Sequence, residues 1–199
     1  MRALSLTLVL ISSGICSSAA AQWYLGLEVA AHRYRGSSYD TSGSHVASEG
    51  RPAGGPALGL VISRNWHRVG AALRASYANP GFTVSGHGVS VIDKTTGRLA
   101  EFALLLSTPV GGIGPSGAVR AALGPALHLW DFDGEVRARA GAIGAVAYEW
   151  PVSSRFGGSV RLEGTLSPSW FNATDVPPEF ERRVTWRYGV ALGLRYRLT

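Results

Sequence analysis

Residues 183–198 read RVTWRYGVALGLRYRL, and alternate positions carry two different chemistries. Val184, Trp186, Tyr188, Val190, Leu192, Leu194, Tyr196 and Leu198 make one set; Arg183, Thr185, Arg187, Gly189, Ala191, Gly193, Arg195 and Arg197 make the other. Successive side chains of a strand point to opposite faces, so this segment predicts a strand with one apolar face and one face of arginine and small residues. The same alternation recurs along the chain. Its apolar positions begin at Trp23, Leu25, Leu27 and Val29, then Leu58, Leu60, Ile62 and Trp66, then Val69, Leu73 and Tyr77. They continue through Phe102, Leu104 and Leu106 (with Leu105 out of phase), Val119, Leu123 and Leu127, Val136, Val146 and Trp150, and Val160, Leu162, Leu166 and Trp170. Eight such stretches without a helical period predict an all-β protein, an eight-stranded antiparallel up-and-down barrel. An even count lets a meander of hairpins close its first strand on its last, which removes exposed sheet edges.

The connections alternate too. Long polar segments, 34–55, 78–98 and 169–182, follow the first, third and seventh strands, while DFDG at 131–134 makes a tight turn after the fifth. The links after even-numbered strands are shorter, and Val89, Ser90, Val91 and Ile92 are expected to extend a strand beyond the barrel body.

Which face meets water decides the kind of barrel. Lys94 is the only lysine outside a large excess of arginine, an odd balance for a water-facing surface. The polar face is mostly Gly, Ala, Ser, Thr and Arg, which suits the narrow interior of a small barrel. Aromatic residues on the apolar face fall at strand ends: Trp23, Trp66, Tyr77, Trp150, Trp170, Trp186 and Tyr196. Rings of that kind favour the boundary between hydrocarbon and headgroup. The reading is therefore a transmembrane barrel with its apolar face to lipid; the alternative is a soluble lipocalin-like carrier with the faces reversed. The N-terminus fits export: Arg2, an apolar run from Leu4 to Ile11 and Ala19-Ala20-Ala21 predict a signal peptide over 1–21, leaving the barrel domain as 22–199. That domain has no cysteine and no apolar run long enough for a spanning helix. No basic run suggests nucleic acid as a partner.

The chain resembles the small outer-membrane barrels of Gram-negative bacteria, the OmpA-like and OmpX-like domains of the wider porin class, over essentially all of 22–199. The resemblance implies an outer-membrane protein whose partners are the membrane lipid and, during biogenesis, the barrel-assembly machinery. Arg187, Gly189, Leu192 and Leu194 look like the terminal-strand signal which that machinery reads.

Alternation sends Glu28, Arg74, Glu101, Arg120, Arg137, Arg139, Glu149, Arg161, Glu163, Arg187 and Arg195 into the lumen. Lone charges in a narrow, poorly solvated interior are costly, so they are expected to pair. Glu28, Glu101 and Glu163 are the natural acceptors, with Arg161 and Arg187 beside Glu163 and Arg195 meeting Glu28 across the closing strand pair. Such a network seals the lumen in a structural or surface-interaction protein; the alternative is a small anion-preferring pore. Enzymatic roles find little footing. His87 and Ser90 lack an acid, His128 is expected at the rim near Asp131 and Asp133, and the Asp and Gly of DFDG are explained by a turn. No catalytic residue, metal site or cofactor is expected.

Overall fold

A computed structural model describes residues 22–198 apart from 41–48, 67, 87–88, 94–96, 115, 133, 173, 175–177 and 179. The expected signal peptide lies outside these residues, as do His87 and Asp133. In chain order the strands are β1 (Gln22–Arg35), β2 (Ser38–Asp40), β3 (Glu49–Pro52), β4 (Gly55–Asn65), β5 (Gly70–Ala78), β6 (Phe82–Gly86) and β7 (Val89–Asp93). There follow β8 (Arg98–Ile113), β9 (Gly117–Phe132), β10 (Glu135–Pro151), β11 (Phe156–Ser167), β12 (Phe180–Arg182) and β13 (Thr185–Arg197).

Eight of these close into an antiparallel barrel in the order β1-β13-β11-β10-β9-β8-β5-β4. β1 seals it by pairing with β13 on one side and β4 on the other. One end carries the short links from β4 to β5, β8 to β9 and β10 to β11; the other carries the long segments. At that loop end, parts of the long segments form a second sheet in the order β12-β2-β3-β6-β7. The stretch expected to prolong a barrel strand, Val89 to Ile92, belongs to this second sheet, where β7 pairs with β6.

The alternation is realised as inside and outside. Leu27, Leu106, Leu123 and Leu192 are each more than 60% exposed on the outer wall, whereas Arg74 and Glu101 are 1% exposed in the lumen. Leu105, out of phase with the outer set, points inward and joins Ala103, Ala126 and Ile143 in a small apolar layer. The wall is longer than the alternation alone suggests: β1 runs to Arg35, and β8 and β9 extend to Ile113 and from Gly117. That hairpin carries a bulge between Pro109 and Gly111, where a proline costs the ladder little.

Gly124 marks the tightest approach between β8 and β9. A Cβ there would overlap the carbonyl oxygen of Leu104 and lie 3.2 Å from the Cα of Leu105. The obstacle is backbone, which cannot swing aside as a side chain does. Gly124→Val is therefore expected to destabilise the barrel by about 1–3 kcal/mol, read as a lower urea midpoint in tryptophan fluorescence. An unchanged midpoint would mean the two strands are free to separate locally.

Candidate functional site

The lumen is stacked in three layers. The middle one is a charge network built by six strands: Glu28 and His32 from β1, Arg74 from β5, Glu101 from β8, His128 from β9, Arg161 and Glu163 from β11, and Arg187 from β13. Arg161 grips Glu28 with both Nη atoms, at 2.6 and 2.5 Å, and its Nε donates to Glu163 at 3.1 Å. Arg74 is the hub, reaching Glu28 at 3.4 Å, Glu101 at 3.4 Å and Glu163 at 3.0 Å. Arg187 lies 2.5 Å from Glu101 and 3.7 Å from Glu163, and donates to the Thr165 hydroxyl at 2.9 Å. His32 and His128 cap the acids from two sides, each with Nε2 2.8 Å from a carboxylate oxygen, of Glu163 and Glu101 respectively. Three guanidiniums thus face three carboxylates, so their charges balance.

Sequence reasoning reached the six charged members but not the histidines. His128 was expected at the rim near Asp131; it is 3% exposed in the middle of the lumen, because it is three residues further down β9 and shares the inward phase of Ala126. His32 fell in the part of β1 beyond the recognised alternation, though its phase is that of Glu28.

Above the network, toward the loops, sits an aromatic cluster. Trp130 and Trp170 pack with ring centres 4.9 Å apart, joined by Tyr34, Leu99 and Phe171 and flanked by Phe82 and Phe132. This corrects the placement of Trp170 on the lipid face. β11 ends at Ser167, Pro168 follows, and the chain folds over the mouth, so Trp170 is 1% exposed inside the protein. Arg137 and Arg139, expected in the charge network, hold that segment down instead. Arg137 donates to the Trp170 carbonyl at 3.4 Å and lies over the Phe132 ring, with Glu135 at 2.6 Å. Arg139 donates to the Ser169 carbonyl at 2.9 Å and to Asn172 at 2.8 Å. Both sit too near the loop end of β10 to reach the mid-barrel acids.

Below the network, toward the turns, the lumen is lined by small residues and holds a cavity of about 90 Å³ bordered by Ser63, Ala72, Ser107, Arg120, Ala145 and Ser159. Arg120 donates to the Ser107 hydroxyl at 3.2 Å and has no carboxylate partner among the described residues. Arg195 pairs with Glu149 at 2.6 Å and not with Glu28, as expected from neighbouring strands. Glu28 faces Gly193 in the register, so Arg195 lies one step nearer the turns, level with Glu149.

The outer wall is apolar, the reverse of a ligand-carrying soluble barrel, whose apolar face must line its cavity. The remaining aromatics of the sequence reading stand on this wall near its two borders. Trp23, Trp66, Trp150 and Tyr196 lie toward the turns, and Tyr77 and Trp186 toward the loops. Trp23 and Trp66 flank the Arg64 guanidinium at 5.3 and 5.2 Å, Trp150 stacks on Tyr148, and Tyr196 packs on Phe156. In the DFDG motif, Asp131 Oδ1 accepts from the Gly134 amide at 3.1 Å, and Gly134 has a φ of 85°.

No protein-family model matches this chain, and no curated protein matches its sequence. Among solved structures it is similar to Neisserial surface protein A, with a TM-score of 0.59 and 9% identity over 87% of this chain and 96% of that one. Ail, the attachment invasion locus protein of Yersinia pestis, aligns with a TM-score of 0.39 and 11% identity over 89% of this chain and 99% of that one. With the first of these the shared feature is the fold, a closed eight-stranded barrel.

Proposed function

From the fold of the small eight-stranded outer-membrane barrels, which this chain shares, we propose an integral outer-membrane protein of a Gram-negative bacterium, with a sealed lumen and a structural or surface-interaction role. The observation that carries the reading is the outer wall. Leu25, Leu60, Leu73, Leu104, Leu162 and Leu194, from six different strands, are all at least 40% exposed there. A continuous apolar belt of that kind far exceeds the patches that soluble monomers show to water, and hydrocarbon covers it at no cost. Trp23, Trp66, Trp150 and Tyr196 then mark one membrane border and Tyr77 and Trp186 the other.

The lumen supports a plug. Arg74, Arg161 and Arg187 are each consumed by carboxylates, and the aromatic cluster lies across the loop-side exit. An anion pore would require both layers to part. Specific recognition then resides in the second sheet and its connections, the part of the molecule that stands clear of the bilayer. Membrane lipid and the barrel-assembly machinery are the partners this reading requires.

Fractionation and gel mobility test it. The folded chain is expected in the detergent-extracted envelope, migrating differently before and after boiling, and to hold no steady current in a planar bilayer. Leu192, 61% exposed at mid-strand opposite Val29 and Val160, supplies the companion variant. Leu192→Arg is expected to cost about 2–4 kcal/mol of stability in vesicles, as an arginine facing the middle of a bilayer does. A soluble periplasmic species, or a Leu192→Arg chain as stable as its parent, would overturn the reading.

A further inference from the structure

The two ends of the barrel differ in their acids: Asp40, Glu49, Asp93, Asp131, Glu135 and Glu181 lie at the loop end, although Arg33, Arg35, Arg139 and Arg182 there make no ion pair among the described residues. At the loop end Arg51, Arg98, Arg137 and Arg183 lie 3.4, 3.9, 2.6 and 3.2 Å from Glu49, Asp131, Glu135 and Glu181. At the turn end Glu149 is the one acid among the described residues, and Arg195 occupies it at 2.6 Å. Arg64, Arg68, Arg155 and Arg197 are left there without a carboxylate. Arg155 finds only the Tyr196 hydroxyl, at 3.0 Å.

Arg64 stands out among these. Its position on β4 shares the outward phase of Leu60 and Ile62, so it projects from the wall at the turn-side border of the apolar belt. There the Trp23 and Trp66 rings hold its guanidinium from two directions, at 5.3 and 5.2 Å. Its Nε is buried without a hydrogen-bond partner, and no described residue accepts from its Nη atoms. Cation–π contact fixes the planar fork while leaving its edge free, and that edge matches two oxygens of a phosphate. Arg68 adds a second positive charge in the adjoining turn.

We propose that Arg64, clamped by Trp23 and Trp66 with Arg68 in the adjoining turn, binds the phosphate of an anionic phospholipid headgroup in the leaflet on the turn side. The occupant follows from charge complementarity and depth: a site at the edge of a hydrocarbon-facing belt meets headgroups, and a cluster without acids selects negative ones. This rests on the membrane reading above. Near a membrane surface one arginine contributes about 1 kcal/mol toward an anionic lipid, which is about fivefold in association.

The test reconstitutes the folded chain in phosphatidylcholine vesicles containing brominated phosphatidylglycerol or brominated phosphatidylcholine, and takes the ratio of the two association constants from tryptophan quenching. The parent is expected to prefer phosphatidylglycerol, and Arg64→Gln to lose about fivefold of that preference. Arg68→Gln, in an exposed turn, should lower the ratio in the same direction, so a poorly folding Arg64→Gln would not shield the proposal. Arg98→Gln, at the opposite end, should leave the ratio unchanged. Insertion without preference, or an unchanged ratio in both turn-end variants, overturns the headgroup site alone. A chain that enters neither vesicle overturns the membrane reading beneath it.

Discussion

Replacing Arg74 by methionine is expected to lower the stability of the barrel by about 3–5 kcal/mol, the cost of stranding buried charge rather than of losing one contact. Arg74 touches all three lumen carboxylates, of Glu28, Glu101 and Glu163, and is 1% exposed. Methionine fills much of the same space and adds no new polar group, so packing contributes little to the loss. What remains is three acids shared by Arg161 and Arg187. Adding Glu163→Gln restores the count of charges, and the double variant is expected to recover about 0.5–3 kcal/mol relative to the sum of the two single changes. Urea unfolding in vesicles, with the four proteins side by side, measures both quantities. A single-variant loss below about 1 kcal/mol would place the network among the weak, hydrated pairs of a surface, and the idea of a sealing layer would fall with it.

Trp170→Ala should be nearly as damaging, at about 3–5 kcal/mol, because it empties the centre of the aromatic cluster. Its ring meets Trp130, Phe132, Phe82 and Phe171 with centres 4.9, 5.3, 6.0 and 5.0 Å away. The loss should concentrate at the loop end. Hydrogen exchange is expected to quicken in β6, β12 and the segment that Arg137 and Arg139 hold, while the turn-side half of the wall stays protected. Trp186, 55% exposed on the outer wall, is the comparison: Trp186→Ala should cost clearly less and leave loop-end exchange as it was. Equal losses from the two would mean that Trp170 is a border aromatic after all.

The contrast between those two tryptophans shows what a period of two carries and where it stops. Phase along a strand told inside from outside for Glu28, Arg74, Glu101, Arg161, Glu163 and Arg187, since barrel closure preserves the alternation of each strand. Height in the lumen was not legible, because it depends on the stagger between strands, and stagger is set by pairing that no single strand records. Hence Arg195 meets Glu149, and Arg161 reaches across β13 to Glu28. Trp170 failed for another reason: it continues the phase of Leu166, but the strand has already ended at Ser167, and phase means nothing once the chain leaves the sheet. His32, Tyr34 and Trp130 were within reach. Each shares the phase of a recognised inward neighbour, and a bulky residue at such a position is itself the sign of a filled interior.

The charge layer also bears on how the molecule is made. Arg161 and Glu28 are 133 residues apart, His32 and Glu163 131, and Arg74 and Glu163 89. None of these pairs can form within a hairpin. A half-built sheet can already bring Arg74 to Glu101 on the neighbouring strand and Arg161 to Glu163 on its own strand, but it leaves Arg161 apart from Glu28. Only when β1 meets β13 are Arg161 and Glu28, and His32 and Glu163, brought together, so the last step of closure also completes the network. Loop-closure entropy is spent in full before that reward arrives. The charge layer should accordingly be completed late, when the first and last strands pair.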